Sequence, residues 1–139
     1  DPHNLGSIIR TAECANVSAV IIPERNSALV NETVIRTSAG ATNFVKVCKV
    51  KNINEAIKTL KNNNVFVYVA DMDGESMYKT NLKGNTAIVI GSEGFGVSKL
   101  TRDLADQIVS IPMQGKINSL NASVSAGILM YEVLRQQQL

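Results

Sequence analysis

Between Ser110 and Ser123 the chain reads Ser-Ile-Pro-Met-Gln-Gly-Lys-Ile-Asn-Ser-Leu-Asn-Ala-Ser. An apolar strand ends at Pro112, a polar loop carrying Gly115 follows, and a helical pattern starts at 119–121. One helix cap needs one Ser or Asn, whereas Ser119, Asn121, Ser123 and Ser125 alternate here with Leu120, Ala122, Val124 and Ala126. That density points to loop backbone and a helix start facing a small ligand. A second candidate, Gly91-Ser92-Glu93-Gly94-Phe95-Gly96, has the wrong spacing and the wrong place in the chain for a dinucleotide fingerprint. A tight turn requiring positive φ explains its glycines but not Glu93. Asn4 and Arg10 form a third, six residues apart near the amino end. Arg10 is either a solvated helix residue or a planar cation able to hold a phosphate with two hydrogen bonds. His3, the single histidine, stands beside Pro2 and reads as a turn residue rather than a general base.

These groups need a framework, and 139 residues with 45% hydrophobic content suffice for one cored domain. A net charge of +2 is too small to indicate nucleic-acid binding by itself. No apolar run is long enough to cross a membrane, and no stretch has the pattern of a signal peptide. Cys14 and Cys48 lack a metal-ligand spacing; buried, reduced thiols in a cytoplasmic protein are expected, with no metal. The chain starts without Met and enters a helix almost at once, so its first strand is expected to lie outside it.

The patterning predicts a helix over 5–16 with Leu5, Ile8, Ile9, Ala12 and Ala15 on its apolar face. A strand over 19–22 follows, then a short helix capped by Asn31 with Val34 and Ile35 turned inward, and a strand over 44–50. Asn52 and Glu55 open a helix over 53–61. Strands are expected over 65–70, 86–90 and 107–111, with Asp71–Gly74 as a turn after the first of these. Helices over 98–105 and from about 121 to 137 complete the chain. Short apolar strands alternating with helices imply an α/β fold with a parallel sheet flanked by helices on both faces. Ligands bind such sheets beyond the carboxyl ends of the strands, where Asp71–Gly74, Gly91–Gly96 and Pro112–Asn121 lie. The last helix offers two apolar sides, Val124-Ile128-Tyr131 and Ala122-Ala126-Leu129-Val133, which fits one side on the sheet and the other on a second subunit.

Three blocks in this order, Asn4 to Ala12, Ile90 to Gly96, and Ile111 to Gly115 running on to Ser119–Ser123, resemble motifs 1, 2 and 3 of the SpoU/TrmH branch of the SPOUT RNA methyltransferases. The resemblance covers essentially the whole chain. Ser38-Ala39-Gly40-Ala41 and the opening Asp1–Gly6 resemble the subgroup that methylates a guanosine ribose in large-subunit ribosomal RNA. The resemblance implies an α/β domain with a deep carboxyl-terminal trefoil knot, a departure from the rule against threading. It implies S-adenosylmethionine held by Gly91, Ile111 and Leu120, with Ala70, Ile90, Met113 and Ser119 nearby. It also implies a homodimer through the knot and last helix, and an amino-terminal RNA-binding domain beyond this catalytic domain.

The reaction so implied is an in-line attack of a ribose 2′-oxygen on the cofactor's methyl carbon. The family's proposed catalytic residue falls on Arg10. Arginine does not readily lose its proton in a protein, so the expected role is to hold the neighbouring phosphate and stabilise the forming alkoxide. Asn4, Glu93, Ser119 and Asn121 would position the ribose, Arg10 and the loop. The competing readings are a transfer-RNA ribose methyltransferase of the same family, a non-catalytic RNA-binding protein on the same fold and, more distantly, a nucleotide-binding oxidoreductase. With its low net charge, this stretch alone is expected to bind cofactor and dimerise while methylating little RNA.

Overall fold

The computed structural model describes residues 2–24, 32–92 and 96–139. The chain forms two compact units, Asp1–Ile53 and Asn54–Leu139. In the first, α1 (Pro2–Cys14) precedes β1 (Ala19–Pro23), α2 (Glu32–Thr37) and β2 (Lys46–Val50). β1 and β2 pair in parallel, Ala19 beside Lys46 through Pro23 beside Val50. The apolar stripe of α1 is buried at Leu5, Ile9 and Ala12 and continues to Ala15 in the turn just after the helix, and Val34 of α2 is fully covered. Off that stripe, Arg10 and Glu13 are exposed.

The second unit holds α3 (Ile53–Asn62, which begins at the unit boundary), β3 (Phe66–Ser76), β4 (Thr86–Val89), α4 (Lys99–Leu104), β5 (Gln107–Ser110) and α5 (Ala122–Gln137). β3 is the central strand, with β4 and β5 parallel to it on either side. Asp106 fixes the start of β5 on β3: its Oδ2 accepts from Val67 N and its own N donates to Val67 O, both at 2.7 Å. The core joins Tyr68, Met77, Leu82, Val109 and Leu129, with Ile88, Ile111, Ile128 and Val133 packed against it.

The α/β class with parallel strands and flanking helices is therefore present; among the described residues the first unit holds a two-stranded sheet and the second a three-stranded one. Local apolar runs announce parallel strands without saying which strands become neighbours. Asp71–Gly74 is not a turn that ends β3. Ala70 and Glu75 both lie opposite Val109, so the four residues between them bulge out and the strand then resumes. A Cβ on Gly74 would lie 2.6 Å from the carbonyl carbon and oxygen of Ile108, so the bulge approaches β5 as closely as only glycine permits.

Other departures are local. Ile35 is 46% exposed, and only its neighbour Val34 turns inward. Phe44 precedes β2 at the end of a 3-10 turn over Ala41–Asn43 and is exposed. Cys14, in the last turn of α1, is exposed rather than buried; it and Cys48 are both free thiols. On α5, Ile128 faces the core together with Leu129 and Val133, which leaves Val124 and Tyr131 outward. The expected cap Asn31 lies outside the described residues.

Candidate active site

A cavity of about 500 Å³ opens at the carboxyl ends of β4 and β5 and at the bulge of β3, entirely within the second unit. Three parts of the chain build it. Ala70, Asp71 and Met72 come from the bulge; Ile90, Gly91, Ser92, Gly96 and Val97 follow β4; and Ile111, Met113 and 118–122 follow β5 into the start of α5. Val109 closes the floor and Ser125 reaches in from the first turn of α5.

Each part is fixed by local chemistry. After β4 the chain folds back on itself: Gly96 N donates to Ser92 O at 2.9 Å, and Gly96 takes φ +64°. A Cβ on Gly91 would sit 2.5 Å from the carbonyl carbon of Gly96, so this position tolerates no side chain. The bare backbone of Gly91 thus faces the cavity. At the other wall Asn121 caps α5, its Oδ1 accepting from Ser123 N at 2.9 Å and Val124 N at 3.3 Å. Ser123 Oγ donates to the same oxygen at 2.5 Å. The plain helix-capping role is therefore present at Asn121. Among 118–121, Leu120 is 41% exposed although it borders the cavity.

The seven positions that the family resemblance assigns to a cofactor, Ala70, Ile90, Gly91, Ile111, Met113, Ser119 and Leu120, all line this one cavity. Of the five positions assigned to catalysis, Ser119 and Asn121 line it as well. Asn4 and Arg10 stand on α1 of the first unit, and Glu93 lies outside the described residues. The sequence pattern assigns no role to Asp71, Met72, Val97 or Asn118, although Asp71–Gly74 stands out as an unusual loop at the strand ends. The missing signal was that Asp71 and Met72 belong to a bulge, which the polar pattern mimics as a turn.

Among the described residues no group of three His, Cys, Asp or Glu side chains could hold a metal ion, and no helix is long and apolar enough to cross a membrane.

The chain is similar to known proteins in sequence and in fold. Over 138 residues the chain is 44% identical to the 23S rRNA (guanosine-2'-O-)-methyltransferase RlmB of Xanthomonas campestris, covering 99% of this chain and 55% of that protein. It is 44% identical to an uncharacterized tRNA/rRNA methyltransferase of Borreliella burgdorferi, covering 100% of this chain and 61% of the relative. The chain thus spans a little over half the length of these curated relatives. Among solved structures, the SpoU methyltransferase AviRb from Streptomyces viridochromogenes, determined in complex with AdoMet, superposes with a TM-score of 0.91 at 28% identity. That match covers 99% of this chain and 57% of AviRb. The A. aeolicus TrmH/SpoU tRNA modifying enzyme gives 0.89 at 28% identity, over 99% of this chain and 71% of that one. Residues 1–131 match the SpoU rRNA Methylase family, and the chain belongs to that family.

Proposed function

We propose that this chain is the catalytic domain of an S-adenosylmethionine-dependent RNA methyltransferase that modifies a ribose 2′-hydroxyl, of a guanosine in large-subunit ribosomal RNA. The observation that carries the reading is the convergence of Ala70, Ile90, Gly91, Ile111, Met113, Ser119 and Leu120 on one cavity. Its volume lies in the range that takes a nucleoside-sized ligand. Its lining also has the right chemistry: aliphatic side chains of Ile90, Val109, Ile111 and Leu120 suit the faces of a purine. Bound S-adenosylmethionine supplies a methyl group carried on positively charged sulfur.

The remaining work falls to the chain's own residues. Gly91 and the loop before α5 hold the ligand through backbone groups, while Ser119 and Asn121 orient the ribose. On α1, Arg10 grips the phosphate next to the methylated nucleotide and steadies charge on its 2′-oxygen, with Asn4 and Glu93 assisting. The segment from Ile111 to Ser123 forms the trefoil knot of the family fold. The domain works in the cytoplasm as a homodimer through that knot and α5, a reading supported by Val124 and Tyr131, each 48% exposed on α5. An RNA-binding domain on the amino-terminal side supplies most of the grip on RNA.

The test is methyl transfer from labelled cofactor to unmodified ribosomal RNA and to transfer RNA, followed by mapping of the product. It should be run on this chain and on a form extended by the amino-terminal domain. Ribosomal RNA should be labelled at a guanosine ribose, more strongly by the extended form. Labelling of transfer RNA alone would move the substrate to the other branch of the family. Calorimetric heat with S-adenosylmethionine but no transfer to either RNA would favour the non-catalytic reading, and no heat would sink the assignment of the cavity.

Gly91→Ala offers a sharper probe of the same cavity. A methyl group 2.5 Å from the Gly96 backbone forces the turn open. S-adenosylmethionine affinity is expected to fall about a hundredfold, as a misplacement near 1 Å can cost. Ser92→Ala, on the same turn but without that clash, should bind within a fewfold of wild type. Calorimetry on the two variants separates a steric requirement at Gly91 from general sensitivity of the loop.

A further inference from the structure

One wall of the cavity is a piece of strand that left its ladder. Asp71 to Gly74 bulge between the two residues that face Val109. At the root, Gly74 lies against the Ile108 backbone, and its carbonyl accepts from Ser110 Oγ at 2.9 Å. The outer part carries two carboxylates two residues apart, a pattern that repels itself unless a cation intervenes. The cation is Arg102. Its Nη1 donates to Asp71 Oδ2, and its Nη2 donates to Asp73 Oδ2 at 2.6 Å. The other oxygen of Asp71 accepts from Met72 N at 2.8 Å. Asp71 and Met72 in turn line the cavity.

Arg102 is itself held on a moored element. α4 is capped by Ser98, whose Oγ accepts from Thr101 N at 3.2 Å. The buried Thr101 donates through Oγ1 to Asn54 Oδ1 at 2.7 Å, and Lys61 Nζ donates to Leu104 O at 2.8 Å. Asn54 and Lys61 both belong to α3, so two separate ties fix α4 to that helix. The Arg102 side chain is 27% exposed, more covered than the Lys99–Asp103 pair on the same helix, at 90% and 60%. An exposed ion pair contributes little to global stability. A forked cation on a fixed helix can still decide where a four-residue bulge rests.

We propose that Arg102 is a positioning residue: through Asp71 and Asp73 it holds the 71–74 bulge in the shape that forms one wall of the cavity, and so sets the affinity for S-adenosylmethionine. This rests on the cofactor reading above. The contribution is geometric, because Arg102 itself is not part of the lining.

The experiment is calorimetric titration of S-adenosylmethionine into wild type, Arg102→Ala, Arg102→Lys, Asp73→Asn, the double variant Arg102→Ala with Asp73→Asn, and Lys99→Ala as control. Arg102→Ala is expected to bind about tenfold more weakly, the scale of loss when a supporting group is removed. Lysine restores only part of that loss, since one ammonium does not reproduce the planar fork. The double variant should be no weaker than Arg102→Ala, because both changes break the same link. Lys99→Ala should match wild type. In a methyl-transfer assay the KM for cofactor should rise while kcat at saturating cofactor stays near wild type, a split that general destabilisation does not produce.

No heat with the wild-type protein would defeat the cofactor reading itself. A wild type that binds, together with Arg102→Ala within twofold of it, overturns only the role of Arg102. If Arg102→Ala does not fold, Arg102→Lys and Asp73→Asn decide: both within twofold of wild type overturns the proposal, and a weaker Kd in either supports it.

Discussion

Replacing Arg10 by alanine is expected to slow methyl transfer about a hundred- to a thousandfold, the range seen when one donor to developing negative charge is removed, while S-adenosylmethionine binds as before. The physical grounds lie in where Arg10 stands. It is exposed on α1, off the stripe of Leu5, Ile9 and Ala12 that holds the helix in its unit. Alanine keeps the helix and removes only a charged fork. A ribose hydroxyl is a poor nucleophile, and its attack on a methyl carbon needs the sugar fixed in line and the charge on its oxygen stabilised. A guanidinium bound to the adjacent phosphate supplies both. Arg10→Lys keeps the charge without the paired donors and should fall between alanine and wild type. Rates should be measured with saturating cofactor and RNA, alongside calorimetry with cofactor alone. Near wild-type rates in both variants would remove Arg10 from the reaction. A parallel loss of cofactor binding in Arg10→Ala would mean that α1 and the cofactor site do not have the separate tasks proposed for them.

The stretch between Ser110 and Ser123 was legible as a candidate site because its composition exceeded what a connection requires. The structure puts Met113, Asn118, Ser119, Leu120 and Asn121 of that stretch on one cavity. The helix that follows was legible in its end at Gln137 and in the inward turn of Leu129. The behaviour of β3 beyond Ala70 was not. Asp-Met-Asp-Gly carries every mark of a turn, and only pairing with β5 on one side and Arg102 on the other returns the chain to the ladder. Both partners are distant in sequence, and local pattern carries no record of them. Gly91 illustrates the middle case. Its type announced a constrained turn, but the constraint is the approach of Gly96, whereas the positive φ belongs to Gly96 itself.

The same limit hid Gln136, and its loss should have the largest effect on folding. Near the end of a helix, in the run Arg-Gln-Gln-Gln, it reads as a solvated residue. It is 6% exposed, and its carboxamide joins α5 to the segment after β3. Oε1 accepts from Leu82 N at 2.8 Å. Nε2 donates to Thr80 O at 3.0 Å, Met77 O at 3.3 Å and Glu132 Oε2 at 2.8 Å. Met77 O keeps the Thr80 N donor, but Thr80 and Leu82 are buried, so deleting the carboxamide takes a partner from Thr80 O and from Leu82 N away from water. Gln136→Leu is therefore expected to destabilise the protein by about 3 kcal/mol, since each such group costs about 1–3 kcal/mol. It would appear in urea unfolding as a lower midpoint with an unchanged slope.

Glu132 gives the network a pH signature. Hydrogen bonds from Arg135 at 2.8 and 2.9 Å, opposed by burial and aided by Gln136, hold its carboxyl below the ordinary glutamate value of 4.5. A folded-state value below the unfolded one means stabilisation that is complete above about 4.5 and is lost as pH falls through the lower folded value. Wild type should therefore lose stability over that acid range, and Glu132→Gln should show a flatter profile there, though a lower plateau near neutrality. Gln136→Leu removes one of the donors and should lose part of the same pH dependence. An unchanged urea midpoint in Gln136→Leu would show that water replaces the carboxamide at no cost, and α5 would then be held by Leu129 and its apolar neighbours alone. The outcome matters for the site, because the first turn of α5 carries Ala122 and Ser125 into the cavity, and Gln136 ties down the other end of that helix.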